Sequence, residues 1–220
     1  MRPRLLEVWG DPPEGKILAT VARHMRAGGL VAMPTETVYG FGSLLRPELI
    51  ARVRRLKARG QDSPFLALVQ GPESVPELEW TPWARELAKL FWPGPLTLIL
   101  QDPQGRFPPG VRSSEGTVAI RQSPNPLARG LVEALGEPIL STSVNPPKGI
   151  PALTAREAME TAVSLGGGSD LWVLDSGPLP PSEPSTIIDC SGPQPLVVRA
   201  GSIPVNRLRC VLPELENPHP

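Results

Sequence analysis

LVAMPTETVYGFG, residues 30–42, is the stretch on which the reading of this chain turns. Leu30, Val31, Ala32 and Met33 form a short apolar run with the character of a buried strand. Pro34 ends the run, because proline brings no N–H to a ladder. Thr35, Glu36, Thr37 and Tyr39 follow at once, then two glycines around Phe41. A buried strand that runs straight into hydroxyls and glycines is how an α/β sheet delivers polar groups to a site at its carboxyl edge. An ordinary tight turn has the same composition, so the rest of the chain decides between the two.

Outward from this stretch, strand-like and helix-like segments alternate. Arg4–Val8 predicts a strand, and Gly15–Ala27 a helix with Ile17, Leu18, Val21, Ala22 and Met25 on one face, stopped by Gly28 and Gly29. Arg46-Pro47 opens a second helix with the stripe Leu49, Ile50, Val53 and Leu56. Phe65–Val69, Leu96–Leu100, Thr117–Ile120, Pro138–Leu140, Trp172–Leu174, Thr186–Ile188 and Leu196–Val198 read as further strands. Thr81–Phe91, Pro126–Leu135 and Thr154–Leu165 read as helices, the last with Thr154 and Glu157 as a capping box. Irregular alternation of this kind predicts an α/β fold: one domain built on a twisted mixed sheet with helices packed against it. Residues 1–210 are expected to form that domain and 211–220 a frayed tail.

The bulk composition excludes several classes. Basic and acidic residues balance at 22 each, so no global field draws in nucleic acid or a membrane surface, and any basic site must be local. Two cysteines, Cys190 and Cys210, leave no room for a disulfide framework or a cysteine zinc cluster. The opening MRPRLLEVWGDPPEGK has no apolar core of signal-peptide length, and no stretch has the ~18 apolar residues of a membrane helix, so a cytoplasmic location is expected. GDPPEGK, residues 10–16, mimics a phosphate loop. Pro12 and Pro13 lack the N–H groups that cradle phosphate there, and Ile17 stands where a magnesium-binding hydroxyl belongs. His24 in the first helix and His219 in the tail are far from every polar cluster, which argues against a Ser-His-Asp or histidine metal site.

Beside the turn after Pro34 five clusters remain, each an apolar strand followed by a hydroxyl or an arginine. Between Leu44 and Gly60 lie Arg46, Arg52, Arg54, Arg55, Lys57 and Arg59 against the single acid Glu48. Arg52 and Arg55 read as solvated. Lys57 and Arg59 stand where the helix should end, near the Pro34 turn if the strands are neighbours, and Arg59 suits phosphate because its planar fork binds two oxygens at once. TVAIR (117–121) puts Arg121 at a strand end, and STSVN (141–145) places hydroxyls and an amide after another strand. PSTIID (184–189) and Arg199-Ala200-Gly201 complete the set. Hydroxyls with arginines suit an amino acid beside an anionic ligand, and chemistry there would rest on positioning and charge stabilisation.

Seven segments in order, PTETVYGFG, KARGQDSPFLALV, FWPGPLTLIL, TVAIR, STSVN, PSTIID and LVVRAG, resemble the YrdC/TsaC family of threonylcarbamoyl-AMP synthases from about Leu30 to Gly201. The resemblance implies a YrdC-like fold with a central basic cavity. It implies a nucleotidyltransferase that joins L-threonine, bicarbonate and ATP into L-threonylcarbamoyladenylate and releases pyrophosphate. Mg²⁺ would come with ATP, and proteins that modify tRNA with threonylcarbamoyladenosine would take the product. Thr35, Arg121, Ser141 and Ser185 fall where the family contacts threonine, with Tyr39 as a supporting wall. Arg59, Ser63, Thr117, Ser143, Asn145 and Arg199 fall where it contacts ATP, and Lys57 and Arg59 carry the charge stabilisation. No protein metal ligand is implied. Glu36, which alternation sends to the face opposite Thr35, is expected to hold the turn.

The chain departs from the family pattern at three places. Ser63 replaces Lys or Asn, Leu68 replaces a His found near threonine in several relatives, and Pro146-Pro147-Lys148-Gly149 replaces a small Ser-Gly pair. An alternative use of the same fold is a non-catalytic cradle for tRNA or double-stranded RNA. It calls for a broad basic face, against which the balanced charge counts. A carbamoyl-transfer domain of the hydrogenase-maturation type calls for accessory domains that 220 residues cannot hold.

Overall fold

The computed structural model describes residues 2–11, 13–60 and 63–216. In chain order its elements are β1 (Arg4–Glu7), α1 (Gly15–Arg26), β2 (Leu30–Pro34), β3 (Tyr39–Leu44), α2 (Pro47–Leu56), β4 (Leu66–Leu68), α3 (Pro82–Phe91) and β5 (Leu96–Gln101). There follow β6 (Thr117–Arg121), α4 (Pro126–Leu135), β7 (Ile139–Ser143), α5 (Ala155–Ser164), β8 (Leu171–Asp175), β9 (Thr186–Asp189), β10 (Leu196–Arg199) and α6 (Val205–Arg209). Local chemistry sets the helix ends. The Thr81 side chain accepts from Ala84 N and that of Asn125 from Leu127 N and Ala128 N, satisfying donors with no partner inside the helix. Gly136, at φ 72°, takes the left-handed turn that closes α4. Thr154 and Glu157 form the capping box read from the sequence.

All the strands join one mixed ten-stranded sheet in the order β1-β8-β2-β3-β7-β4-β6-β5-β9-β10. The pairs β1–β8, β2–β8, β4–β6 and β5–β9 are parallel, and the others antiparallel. Phe41, Leu140, Ala67, Ile120, Leu98 and Ile188 are all buried. Alternation puts Gly40, Ser141, Leu66, Arg121, Thr97 and Ile187 on the opposite face. The sheet thus carries an apolar core on one side, and across its middle on the other a row in which Ser141, Arg121 and Thr97 stand among Gly40, Leu66 and Ile187.

The structure corrects the sequence reading in four places. Residues 39–44 are a strand, not the continuation of a turn: Met33 pairs with Gly40 and Pro34 with Tyr39, so only 35–38 turn. The glycines that masked this strand are there for close packing. A Cβ at Gly42 would stand 3.0 Å from Val31 Cγ2, and one at Gly40 3.0 Å from Ser141 Oγ. Second, Ser141–Ser143 lie inside β7 rather than after it, while Arg121 and Arg199 are the last residues of β6 and β10, at strand ends as expected. These polar residues therefore sit on the sheet itself, at or just before the carboxyl ends of their strands. Third, β2 and β4 are not neighbours, since β3 and β7 stand between them.

Fourth, residues 211–216 are docked rather than frayed. Leu212 and Leu215 are buried, and Val197 N donates to Glu216 O at 3.0 Å. The unpredicted helix α6 buries Leu208 on the same side. The remainder of the expected tail, 217–220 with His219, lies outside the described residues, as does Pro12 of the false phosphate loop. Among the described residues no helix is long and apolar enough to cross a membrane.

Candidate functional site

A cavity of about 320 Å³ lies over the polar face of the sheet. Gly40, Leu66, Thr97, Ala119, Arg121, Ser141, Ser143, Ile187 and Arg199 reach it from strands, and Thr35, Arg59 and Ser185 from loops beside them. It therefore brings together one residue or more from every polar cluster read from the sequence. Three arginines, Arg59, Arg121 and Arg199, enter this one space.

Each is held differently. Arg121 is buried, with Nε 3.2 Å from Glu36 Oε1. Burial lowers its pKa and the Glu36 carboxylate acts against that. Arg199 donates through Nε and Nη2 to the Ser185 carbonyl at 3.1 and 2.8 Å, and through Nη2 to Ser185 Oγ at 3.1 Å. Burial, and then the Arg121 cation, lower its pKa. Arg59 donates to the carbonyls of Ser63 and Pro64 at 3.1 and 2.8 Å and to Thr142 Oγ1 at 3.3 Å. Its guanidinium carbon stands 4.8 Å from the centre of the Phe65 ring, and burial, then Arg54, lower its pKa.

The hydroxyls divide into engaged and open. Thr35 Oγ1 donates to Val38 O at 2.8 Å and accepts from the N–H groups of Thr37 and Val38, so it fixes the turn as well as lining the cavity. Ser185 Oγ lies 3.0 Å from Thr97 Oγ1. Ser141 Oγ faces the cavity across Gly40, whose missing side chain leaves the room.

Several expected residues stand elsewhere. Tyr39 is fully buried, donates to the Gly177 carbonyl at 2.9 Å and is not a cavity wall; burial raises its hydroxyl to about 12. Lys57 Nζ is spent on Ser143 O at 2.8 Å, Asn145 O at 2.7 Å and Asn145 Oδ1 at 2.6 Å. Asn145 receives Ser143 Oγ at 2.6 Å and donates to the carbonyls of Pro146 and Gly149, holding the 146–149 turn. Thr117 shares a sheet face with Arg121 but stands at the far end of β6, 2.8 Å from Ser113 Oγ and off the cavity wall. Ser63 is exposed and meets Arg59 only through its carbonyl.

Leu68 is buried, paired in register with Arg121, while Leu66 supplies the cavity wall from that strand. His24 stacks on Trp172 with ring centres 3.9 Å apart, away from the cavity. Thr97 and Thr142 were missed among the lining groups. Thr97 had a signal, a lone hydroxyl in the apolar strand LTLIL, and Thr142 lay within the quoted STSVN.

The Sua5/YciO/YrdC family profile, described as telomere recombination, matches residues 23–201. The chain belongs to the Sua5/YciO/YrdC family. A threonylcarbamoyl-AMP synthase of Bacillus subtilis (strain 168) is 31% identical over 198 residues, 89% of this chain and 56% of that protein. Another of that name, from Chromohalobacter salexigens, is 34% identical over 179 residues, 78% of this chain and 91% of its own length. The crystal structure of Pyrococcus abyssi Sua5 complexed with L-threonine superposes with a TM-score of 0.88 at 30% identity, covering all of this chain and 63% of that one. This Sua5/YciO/YrdC chain thus spans about half the length of the Bacillus relative it matches. The expected YrdC-like α/β fold, a mixed sheet with packed helices and a basic cavity, is the observed one.

Proposed function

We propose that this chain is an L-threonylcarbamoyladenylate synthase, a nucleotidyltransferase acting on L-threonine, bicarbonate and ATP. The observation that carries the reading is the meeting of Arg59, Arg121 and Arg199 with the hydroxyls of Thr97, Ser141 and Ser185 in one cavity. The names of the relatives and the threonine complex of Pyrococcus abyssi Sua5 support it.

Arg121 would take the threonine carboxylate through its terminal nitrogens, with Thr35, Ser141 and Ser185 around the amine and hydroxyl. Arg59 and Arg199 would take the phosphates of ATP, their charge offsetting the charge that develops on the leaving group. Lys57, Ser143 and Asn145 would shape the phosphate side through the β7 exit. The amine of threonine adds to carbon dioxide derived from bicarbonate, loses a proton and becomes a carbamate. A carbamate oxygen attacks the α-phosphorus in line, and the bond to pyrophosphate breaks as the new P–O bond forms. No protein nucleophile is needed. Mg²⁺ would come with ATP and be held chiefly by its phosphates. The product would pass to proteins that transfer the threonylcarbamoyl group to tRNA.

The test is pyrophosphate release from purified protein with ATP, Mg²⁺, bicarbonate and L-threonine. Release that depends on both threonine and bicarbonate is expected. Release indifferent to either would sink the proposal, and retained tRNA binding without release would favour the RNA-cradle alternative.

A further inference from the structure

Arg121 differs from the other arginines of the cavity in its partner. Its Nε faces the Glu36 carboxylate at 3.2 Å. Among the described residues, Arg59 and Arg199 face no carboxylate and donate only to carbonyl and hydroxyl oxygens. Glu36 is itself fixed. Ser123 Oγ donates to Glu36 Oε2 at 2.6 Å, and Asn125 N donates to Ser123 Oγ at 3.2 Å, which ties the carboxylate to the start of α4. Glu36 does not line the cavity. It stands behind Arg121, the pair meeting as an ion pair without a hydrogen bond between Nε and Oε1, and among the described residues no hydrogen bond engages the guanidinium of Arg121.

We infer that Glu36 is a specificity-determining residue that sorts the two anions of the reaction, making Arg121 a seat for a carboxylate and leaving phosphates to Arg59 and Arg199. The inference rests on the proposed function. A guanidinium with a carboxylate behind it still offers two N–H donors in fork geometry, but little net charge. A singly charged carboxylate gains the paired hydrogen bonds. A phosphate depends more on net charge and also meets the repulsion of Glu36, which selects against it. Without Glu36, three bare cations would line one cavity and the more highly charged ligand would compete for all of them.

The test is calorimetric titration of L-threonine into the unaltered chain and Glu36→Gln, each with and without inorganic phosphate. Gln keeps the shape while removing the charge, and Arg121 Nε and Glu36 Oε1 make no hydrogen bond that the change would break. Phosphate is expected to leave the threonine Kd of the unaltered chain unchanged and to raise that of E36Q by about tenfold, the scale of one buried charge interaction. Glu36→Ala removes the same charge and carries the test if E36Q does not fold. Ser123→Ala keeps the charge, so phosphate should not compete there. Competition in S123A, equal competition in the unaltered chain and E36Q, or competition in neither, overturns the inference and leaves the proposed function standing. Absence of threonine binding by the unaltered chain overturns both.

Discussion

Lys57 Nζ lies 2.6 Å from Asn145 Oδ1 and thereby pins the end of α2 to the exit of β7. Two further acceptors, the carbonyls of Ser143 and Asn145, use the remaining N–H groups of the ammonium. A direct phosphate contact by Lys57 would require one of these bonds to be exchanged. The arrangement makes Lys57 a positioning residue that acts through Ser143 and Asn145.

Burial, and then the Arg59 cation, pull Lys57 down from 10.5 to about 8. A neutral amine has one hydrogen fewer and cannot serve all three acceptors. Activity is therefore expected to fall as pH rises through about 8, and an NMR titration of the lysine side chains should show one midpoint there. The effect on stability has the opposite sign. Between about 8 and 10.5 the unfolded chain still binds this proton while the folded chain has released it, so stability rises with pH across that window on account of Lys57. A Lys57 midpoint at its ordinary value, about 10.4, would remove both expectations.

Arg59→Ala should lose turnover and keep the fold. Its hydrogen bonds go to the carbonyls of Ser63 and Pro64, in the chain before β4, and to the Thr142 hydroxyl in β7, whereas its charge faces the cavity. A loss of about 10²–10³ in pyrophosphate release is expected, the scale for one preorganised donor at a reacting centre. Circular dichroism should show an intact α/β spectrum. Near-normal turnover would remove Arg59 from the phosphate site.

Arg121→Gln should cost both stability and threonine binding. It leaves Glu36, whose side chain is 11% exposed, without its cation. Breaking a buried pair by removing one partner costs about 3 kcal/mol at the lower end of the usual range. The double variant Arg121→Gln/Glu36→Gln should recover much of that stability without recovering threonine binding. Urea unfolding and calorimetry separate the two effects, and equal stability of the single and double variants would contradict the pairing.

Gly40→Ala places a Cβ 3.0 Å from Ser141 Oγ and 3.5 Å from the Thr142 carbonyl. The backbone is already extended, so the fold should survive with a loss of about 1 kcal/mol from overpacking. The serine hydroxyl must turn away, and threonine affinity should drop by about tenfold. Unchanged affinity would show that Ser141 does not face the ligand.

Helices were legible because their end signals are local. Thr81, Thr154 with Glu157, and Gly136 act on residues within one turn, so the residue type alone carries the message. Buried strands were legible as apolar runs. The strand β3 was not, because its glycines answer to Val31 and Ser141, and a contact partner from another strand leaves no mark in local sequence. The same limit explains the site. Arg121, Ser141 and Arg199 were found as polar residues after apolar runs, but whether a strand has ended at such a residue depends on its neighbour in the sheet. Tyr39 looked like a wall because it follows Thr35, and pairing with Pro34 turns it away toward Gly177. The pairing of Glu36 with Arg121 joins the β2–β3 turn to β6, and no periodicity foretells it.

The matched family region stops at Gly201, yet the strand that carries Arg199 is finished only by the chain near Glu216. Glu216 N donates to Pro195 O at 3.1 Å and Val197 N to Glu216 O at 3.0 Å, so the outermost rung of the ten-stranded sheet is closed by the same molecule. A chain cut after Gly201 would leave that rung as an open template for other copies. Light scattering should then report assemblies that grow with concentration. The last described residues are thus a seal on the sheet: they keep an arginine-bearing border from becoming sticky.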